Sequence, residues 1–296
     1  MTISIIDAHH HIWRRDDLPW LKGPMVPRIF GPYEPIRRDY PIEEYLRDIA
    51  GMGVEKSVYV QANWAPERAD DEVAWVQAEA DRAGWPHAIV GYADLTAKDV
   101  RPALDRMKRY PLLRGIRMQL HWHENVQYRF ASRPDLFDDA AFKRNFAALS
   151  DYGLSFDLQV FSSQMEGAAR LAADFPKTTL VLQHAGMPED LSEAGMEAWR
   201  AGMRQLAAEP NVVSKLSALG TFIHRNDAAH IRRIVSETIG FFGADRCLFG
   251  SNFPIEKLWT TYKDLIAAFR AAAEDIPEAD RRAIFRGTAA RVYAIG

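Results

Sequence analysis

The sequence predicts an α/β protein of the (β/α)8 TIM-barrel class, a single domain over residues 1–296 with a long lid loop after its first strand. Three observations predict it. Eight short apolar runs recur along the chain, separated by segments of helical periodicity. Strict strand–helix alternation calls for parallel strands with helical crossovers. A length of 296 residues suits eight such units closed into one barrel. An open doubly wound sheet is the alternative, but the Gly-rich phosphate turn that its usual cofactor needs after the first strand is missing.

The first run, 3–8, leads directly into His9, His10 and His11. In a strand, side chains at i and i+2 share a face, roughly 6.5–7 Å apart. His9 and His11 therefore sit side by side, able to clamp one metal ion or one anionic substrate, and His10 points the other way. The stretch 12–41 is long and rich in Pro, Arg and aromatics, which suits a folded lid over that pair. A helix over 42–52 follows. The second run, 56–62, sets Tyr59, Gln61 and Asn63 on one face and precedes a helix over 72–83. The third, 87–95, sets Tyr92 with Asp94 before a helix over 102–109.

The fourth run, 114–120, aligns Arg117, Gln119 and His121 opposite Ile116, Met118 and Leu120. A second long loop, 122–139, follows it, then a helix over 139–152. The fifth, 154–161, alternates Asp157 and Gln159 with Phe156, Leu158 and Val160, before a helix over 164–175. The sixth, 179–184, ends on His184, and a helix over 193–209 follows. The seventh, 211–217, flanks Leu216 with Lys215 and Ser217, before a helix over 228–242. The eighth, 246–251, closes on Asn252 and leads to a helix over 260–273.

Nearly every run thus delivers a polar residue near its C-terminal end. In a barrel those ends share one mouth, where active sites sit. The candidates are His9, His11, His184, Asn252 and Asp94 for chemistry, and Arg117, Gln61, Gln159, Lys215 and His121 for substrate binding. Arginine suits a carboxylate because its planar fork bonds it bidentately. His121 and His123 flank Trp122, where loop packing is as good a reading as catalysis. His224 is placed to reach the mouth, while His87 and His230 read as structural. Cys247 reads as core. There is no nucleophile elbow, paired-Cys motif or P-loop.

The bulk composition excludes several classes. A formal net charge of −3 leaves no footprint for nucleic acid or an anionic membrane. No apolar run approaches the ~20 residues of a membrane helix. One cysteine permits no internal disulfide, and no basic-then-apolar leader opens the chain, so the expectation is a cytoplasmic protein acting on a small molecule, alone or as a homo-oligomer.

Asp7-Ala8-His9-His10-His11-Ile12-Trp13 resembles the first-strand motif of the amidohydrolase-related family 2. The likeness is greatest to its lactonase-like branch, with sugar lactonases and 2-pyrone-4,6-dicarboxylate lactonase. Gly115-Ile116-Arg117, His184-Ala185-Gly186-Met187-Pro188, Lys215-Leu216-Ser217 and Gly250-Ser251-Asn252-Phe253-Pro254 follow in the order that the family shows. The resemblance implies a (β/α)8 barrel that hydrolyses a lactone or related cyclic ester. Two positions depart from it. The eighth-strand aspartate, which takes a proton from the attacking water, falls at Asn252, and a neutral amide has no basic lone pair to do this. The fifth-strand position is Gln159 where much of the superfamily has histidine, which argues against a binuclear metal centre.

The resemblance therefore implies a carbonyl polarised by His9, His11 and His184, either through one divalent metal such as zinc or without metal. Arg117, together with an arginine of the first long loop (Arg28, Arg37 or Arg38), would fix a carboxylate, Asn252 would orient water, and the base would be Asp94 or a histidine. Two alternatives stand beside this: non-oxidative decarboxylation of an aromatic carboxylate, and a ligand-binding protein that lost catalysis with the aspartate.

Overall fold

A computed structural model describes residues 3–296. Eight parallel strands run in the order β1 (Ile5–His10), β2 (Val54–Val60), β3 (Ala88–Gly91), β4 (Leu113–Ile116), β5 (Ser155–Leu158), β6 (Leu180–Leu182), β7 (Val212–Leu216) and β8 (Cys247–Phe249). Each pairs with the next in sequence, and helices fill the connections, so the (β/α)8 barrel is observed. The ring is closed just beyond β8. His11 N donates to Phe253 O at 2.8 Å, and Asn252 N donates to His9 O at 2.7 Å. Asp7 reinforces this seam by accepting from Ser251 N at 2.8 Å and from the hydroxyls of Tyr45 and Tyr262.

Alternation sorts the strands into two cores. Ile6, Ala8, Val58, Val60, Ala88, Val90, Val181, Val213 and Leu248 pack inside the barrel with Ala289, Tyr293 and Ile295 of the C-terminal segment. Their alternates, such as Tyr59, Ile89, Phe156, Leu182 and Phe249, join the larger core under the helices. The C-terminal segment, which carries no predicted strand or helix, includes the short helices Glu278–Arg282 and Thr288–Val292 and plugs the interior from below. The longer crossover helices are Ala69–Ala83, Ala140–Asp151, Met165–Asp174, Glu193–Ala208, Ala228–Phe242 and Tyr262–Ala272, close to their expected places. The helix expected over 42–52 stops at Asp48, because Gly51 and Gly53 take left-handed backbone in the turn into β2.

Strict alternation alone would send His9 and His11 outward. Ile6 and Ala8 face the interior, so positions 9 and 11 belong to the opposite parity. The β1–β2 register shifts between Asp7 and His10, and this bulge returns His9 and His11 to the inside. The same bulge turns His10, which shares the parity of Ile6 and Ala8, to the outside, where it stacks on Tyr45 with ring centroids 3.9 Å apart. His184 meets the same obstacle: Leu180 and Leu182 lie in the outer core. Left-handed backbone at His184 (φ 57°) swings it to the mouth, and Asn252 (φ 58°) and Asn63 (φ 64°) use the same device.

Candidate active site

A cavity of about 810 Å³, counting its open mouth, lies over the C-terminal ends of the strands. Its floor carries His11, Asn63, Arg117, Gln119, His121, Gln159, His184 and Asn252. The first long loop contributes Trp13, Trp20, Arg28, Ile29 and Phe30, and the second contributes Gln127, Tyr128, Arg129 and Phe130. Both long loops are therefore walls of one site. They are latched together: Gln127 Nε2 donates to Arg28 O at 3.1 Å, and the His224 ring meets Ile29 O at 3.2 Å from the loop after β7. The described lining holds three arginines and no aspartate or glutamate.

The histidine geometry settles which nitrogens are free. His11 Nδ1 lies 2.7 Å from Val60 O, a pure acceptor, so Nδ1 carries the proton and Nε2 is a lone pair. His9 Nε2 lies 3.3 Å from that lone pair and donates to it. The two rings meet edge to face, and the His184 ring centroid is 4.9 Å from that of His9. His184 Nδ1 is 2.8 Å from Ser217 Oγ, which leaves its Nε2 for the cavity. Burial first, and then the cations Arg117 and Lys215, push His184 well below the usual imidazole range. Burial and Arg117 push His11 and His121 down to about 3. The cluster is thus neutral at any ordinary pH.

Arg117 donates to Gln61 O, and its Nε has no partner. Burial brings its guanidinium down to about 10, still a cation at neutral pH. Arg28 also has a buried, partnerless Nε, and neither arginine forms an ion pair among the described residues. Arg129 donates only to the backbone carbonyls of His123 and Glu124, so three cations face a cavity without a carboxylate of the protein to balance them.

The structure brings His11, His184, Asn252, Arg117, Gln159 and His121 together at the cavity. His9 is fully buried behind His11. Three expected site residues need correction. Asp94 is exposed, and its carboxylate accepts from Thr96 N and Oγ1, capping the turn after β3. Lys215 is fully buried in an ion pair with Asp157 at 2.8 Å, below the cavity wall. Gln61 accepts from Asn63 N at 2.7 Å and reaches Gln119 at 3.5 Å, so it braces the floor without lining it. Sequence reasoning had Arg28 only as one of the arginines of the first long loop and Asn63 and Ser217 only as strand partners, and it passed over Thr221 and Glu256. Asn63 and Ser217 were visible as period-two partners of named candidates; Arg28 and Thr221 lie in loops with no period to read.

The donors can be tested for a metal. A tetrahedral zinc with bonds of ~2.0–2.1 Å spans about 3.3–3.4 Å between two ligand nitrogens. His9 and His11 present their Nε2 atoms at 3.3 Å. The Nδ1 atoms of His11 and His184 are held by oxygens, as ligating imidazoles usually are. His9 Nδ1 has no such partner. His9 and His11 fit two corners of one site, but among the described residues no three His, Cys, Asp or Glu side chains are grouped to hold a metal, so the expected set with His184 is not assembled.

Residues 6–295 match the family model described as amidohydrolase. The chain is 36% identical to an uncharacterized protein of Sinorhizobium fredii over 99% of both chains. It is 31% identical to the L-fucono-1,5-lactonase of Burkholderia multivorans, over 98% of this chain and 96% of that one. A crystal structure of a Burkholderia multivorans amidohydrolase with bound zinc superposes with a TM-score of 0.83 at 30% identity, covering 99% of this chain and 100% of the other.

Proposed function

The chain belongs to the amidohydrolase family, and from that premise we propose that it is a hydrolase opening a lactone or related cyclic ester of a small carboxylated compound. The observation that carries this reading is a neutral histidine cluster on the floor of a cavity with unbalanced arginines and no acid. The lactonase relative supports the bond type. The arginines support a carboxylate on the substrate, which Arg117 would hold from the floor and Arg28 from the lid.

His184 polarises the carbonyl. With the Ser217 hydroxyl donating to Nδ1, Nε2–H points to where negative charge develops on the carbonyl oxygen. His9 and His11 satisfy each other, so without a metal they shape and dry the floor and donate nothing to the substrate. A divalent ion such as zinc, held at the Nε2 atoms of His9 and His11, would supply Lewis-acid polarisation there. Asn252 seats the attacking water, because its carboxamide both donates and accepts. Among the described residues no helix is long and apolar enough to cross a membrane, and we place the enzyme in the cytoplasm as one domain acting on a small molecule.

A panel of aldonolactones and pyrone carboxylates tests the reading. We expect turnover by the wild type and a loss of roughly 10²–10³ in kcat for His184→Ala, the cost of one oxyanion donor. Full activity in both His184→Ala and Asn252→Ala would remove these residues from the mechanism.

A further inference from the structure

Opening a lactone with water requires a group that takes the water's proton, and no carboxylate lines the cavity among the described residues. Four carboxyls are buried: Asp7, Glu72, Asp157 and Glu256. Asp7 is bonded to Tyr45, Tyr262 and the N–H of Ser251. Asp157 is bonded to Lys215 and Tyr293. Glu72 is bonded to the Tyr59 hydroxyl and the N–H of Ala62. Glu256 differs, because it bonds a side chain of the cavity wall. Thr221 Oγ1 donates to Glu256 Oε1 at 3.4 Å, and the carboxamide of Asn252 lies against the same carboxyl. Trp259 Nε1 holds the other oxygen, Oε2, at 2.8 Å.

The chain around this carboxyl is shaped to approach it. Gly220 comes so near that a Cβ there would stand 2.8 Å from Glu256 Oε2 and would collide with Trp259 Nε1. A side chain at 220 would push the loop after β7, and Thr221 with it, off the carboxyl.

We propose that Glu256 takes the proton of the attacking water through the hydroxyl of Thr221, in place of the aspartate that Asn252 replaces. The proposal rests on the lactone-opening reading. Glu256 touches no substrate, so it is a positioning residue that works through its neighbour. As the water oxygen bonds to the carbonyl carbon, its proton goes to Thr221 Oγ1 and the hydroxyl's own proton goes to Glu256 Oε1. The ring C–O bond then breaks, and the same path returns a proton to the alkoxide, leaving a hydroxy acid. The carboxyl's setting suits this use. Burial pushes it up to about 8, and hydrogen bonds from Trp259, Asn252 and Thr221 resist the rise. None of these facing groups is charged. Lys257, next in sequence, is paired with Glu44 and Asp48. Arg225 on the facing loop is paired with Asp227, and His224 lies against Trp259 with ring centroids 6.0 Å apart.

The test is the pH profile of kcat for wild type, Glu256→Gln, Thr221→Val and the double variant Glu256→Gln/Asn252→Asp. The substrate is whichever of an aldono-1,5-lactone and 2-pyrone-4,6-dicarboxylate the wild type opens. We expect wild-type kcat to rise with pH through an ionisation near 8. Glu256→Gln should lose that limb and roughly 10²–10⁴ in kcat, the usual worth of general-base help, with KM little changed. Thr221→Val should do the same, and it keeps the test decisive if Glu256→Gln fails to fold. The double variant should regain turnover, because it puts a carboxylate on the cavity wall. A folded Glu256→Gln or Thr221→Val with the wild-type limb and rate overturns the relay alone, as does a folded double variant without rescue. A wild type that opens neither lactone overturns the function reading and the relay with it.

Discussion

Lys215 shows how a side chain that looks like a ligand binder can be committed elsewhere. Its ammonium and the Asp157 carboxylate are both fully buried, 2.8 Å apart, with the Tyr293 hydroxyl on the second carboxylate oxygen. Burial lowers the lysine and Asp157 opposes that. Such a pair adds little over a well-packed apolar replacement, but removing one member strands the other's charge. Lys215→Met is therefore expected to cost about 3–5 kcal/mol in urea unfolding, and Lys215→Met/Asp157→Leu to recover much of it. A single variant as stable as wild type would show that the pair is not charged. Arg117 contrasts with it: also buried, it has no acid partner among the described residues, so no carboxylate of the protein is bonded to its charge.

At the level of elements, short backbone irregularities place the site. The bulge in β1 and the left-handed turns at Asn63, His184 and Asn252 each redirect a strand end that alternation would aim elsewhere. The base of the lid is packed and bonded, with Trp20 Nε1 on Ala62 O and Arg68 on Asp17, whereas its stretch at Arg28 and Ile29 is tied to other loops by two side-chain bonds. Gln127 and His224 grip the backbone of Arg28 and Ile29 from two other loops. Losing such bonds costs about 0.5–1.5 kcal/mol each. The double variant Gln127→Ala/His224→Ala should thus raise KM by roughly 5- to 150-fold while leaving the melting temperature within a few degrees of wild type. An unchanged KM would mean that the lid's position does not depend on the latch.

For the whole molecule, the buried titratable groups dictate how stability answers to pH. His9, His10, His11, His121 and His184 are all pushed down from 6.5, to about 3 for His10, His11 and His121. Each is neutral in the fold and charged in the unfolded chain below 6.5. Its contribution is full above that pH and is lost as pH falls toward the folded value. Asp7, Glu72 and Glu256 act in the opposite sense: Glu72 is raised to about 7 and Glu256 to about 8, so their contribution is full below ~4 and is lost as pH rises through those values. Between pH 6.5 and 4.5 five imidazoles oppose Glu72 and Glu256, and below that range these two carboxyls no longer resist. The urea midpoint should fall on acidification from about pH 6.5 and fall more steeply below about 4.5. A midpoint flat down to pH 3.5 would contradict the buried, neutral cluster.

Apolar runs and their spacing by themselves determined the barrel, its strand order and the polar strand ends of its mouth. These follow from periodicity, which is local and which burial on both faces of a parallel strand enforces. The bulge in β1 and the left-handed backbone at His184 and Asn252, which bring His11, His184 and Asn252 to the cavity, belong to the tertiary structure. The tertiary structure alone decided which polar strand-end residues face the cavity. Asp94 was drawn to a turn, Lys215 to Asp157 and Gln61 to its neighbours, because a buried polar group takes the partner that the fold brings nearest. It also decided that Arg28 hangs over the floor and that Glu256 lies behind Thr221. Contacts between separate loops depend on how the strands curl into a ring, and no period along the chain records that.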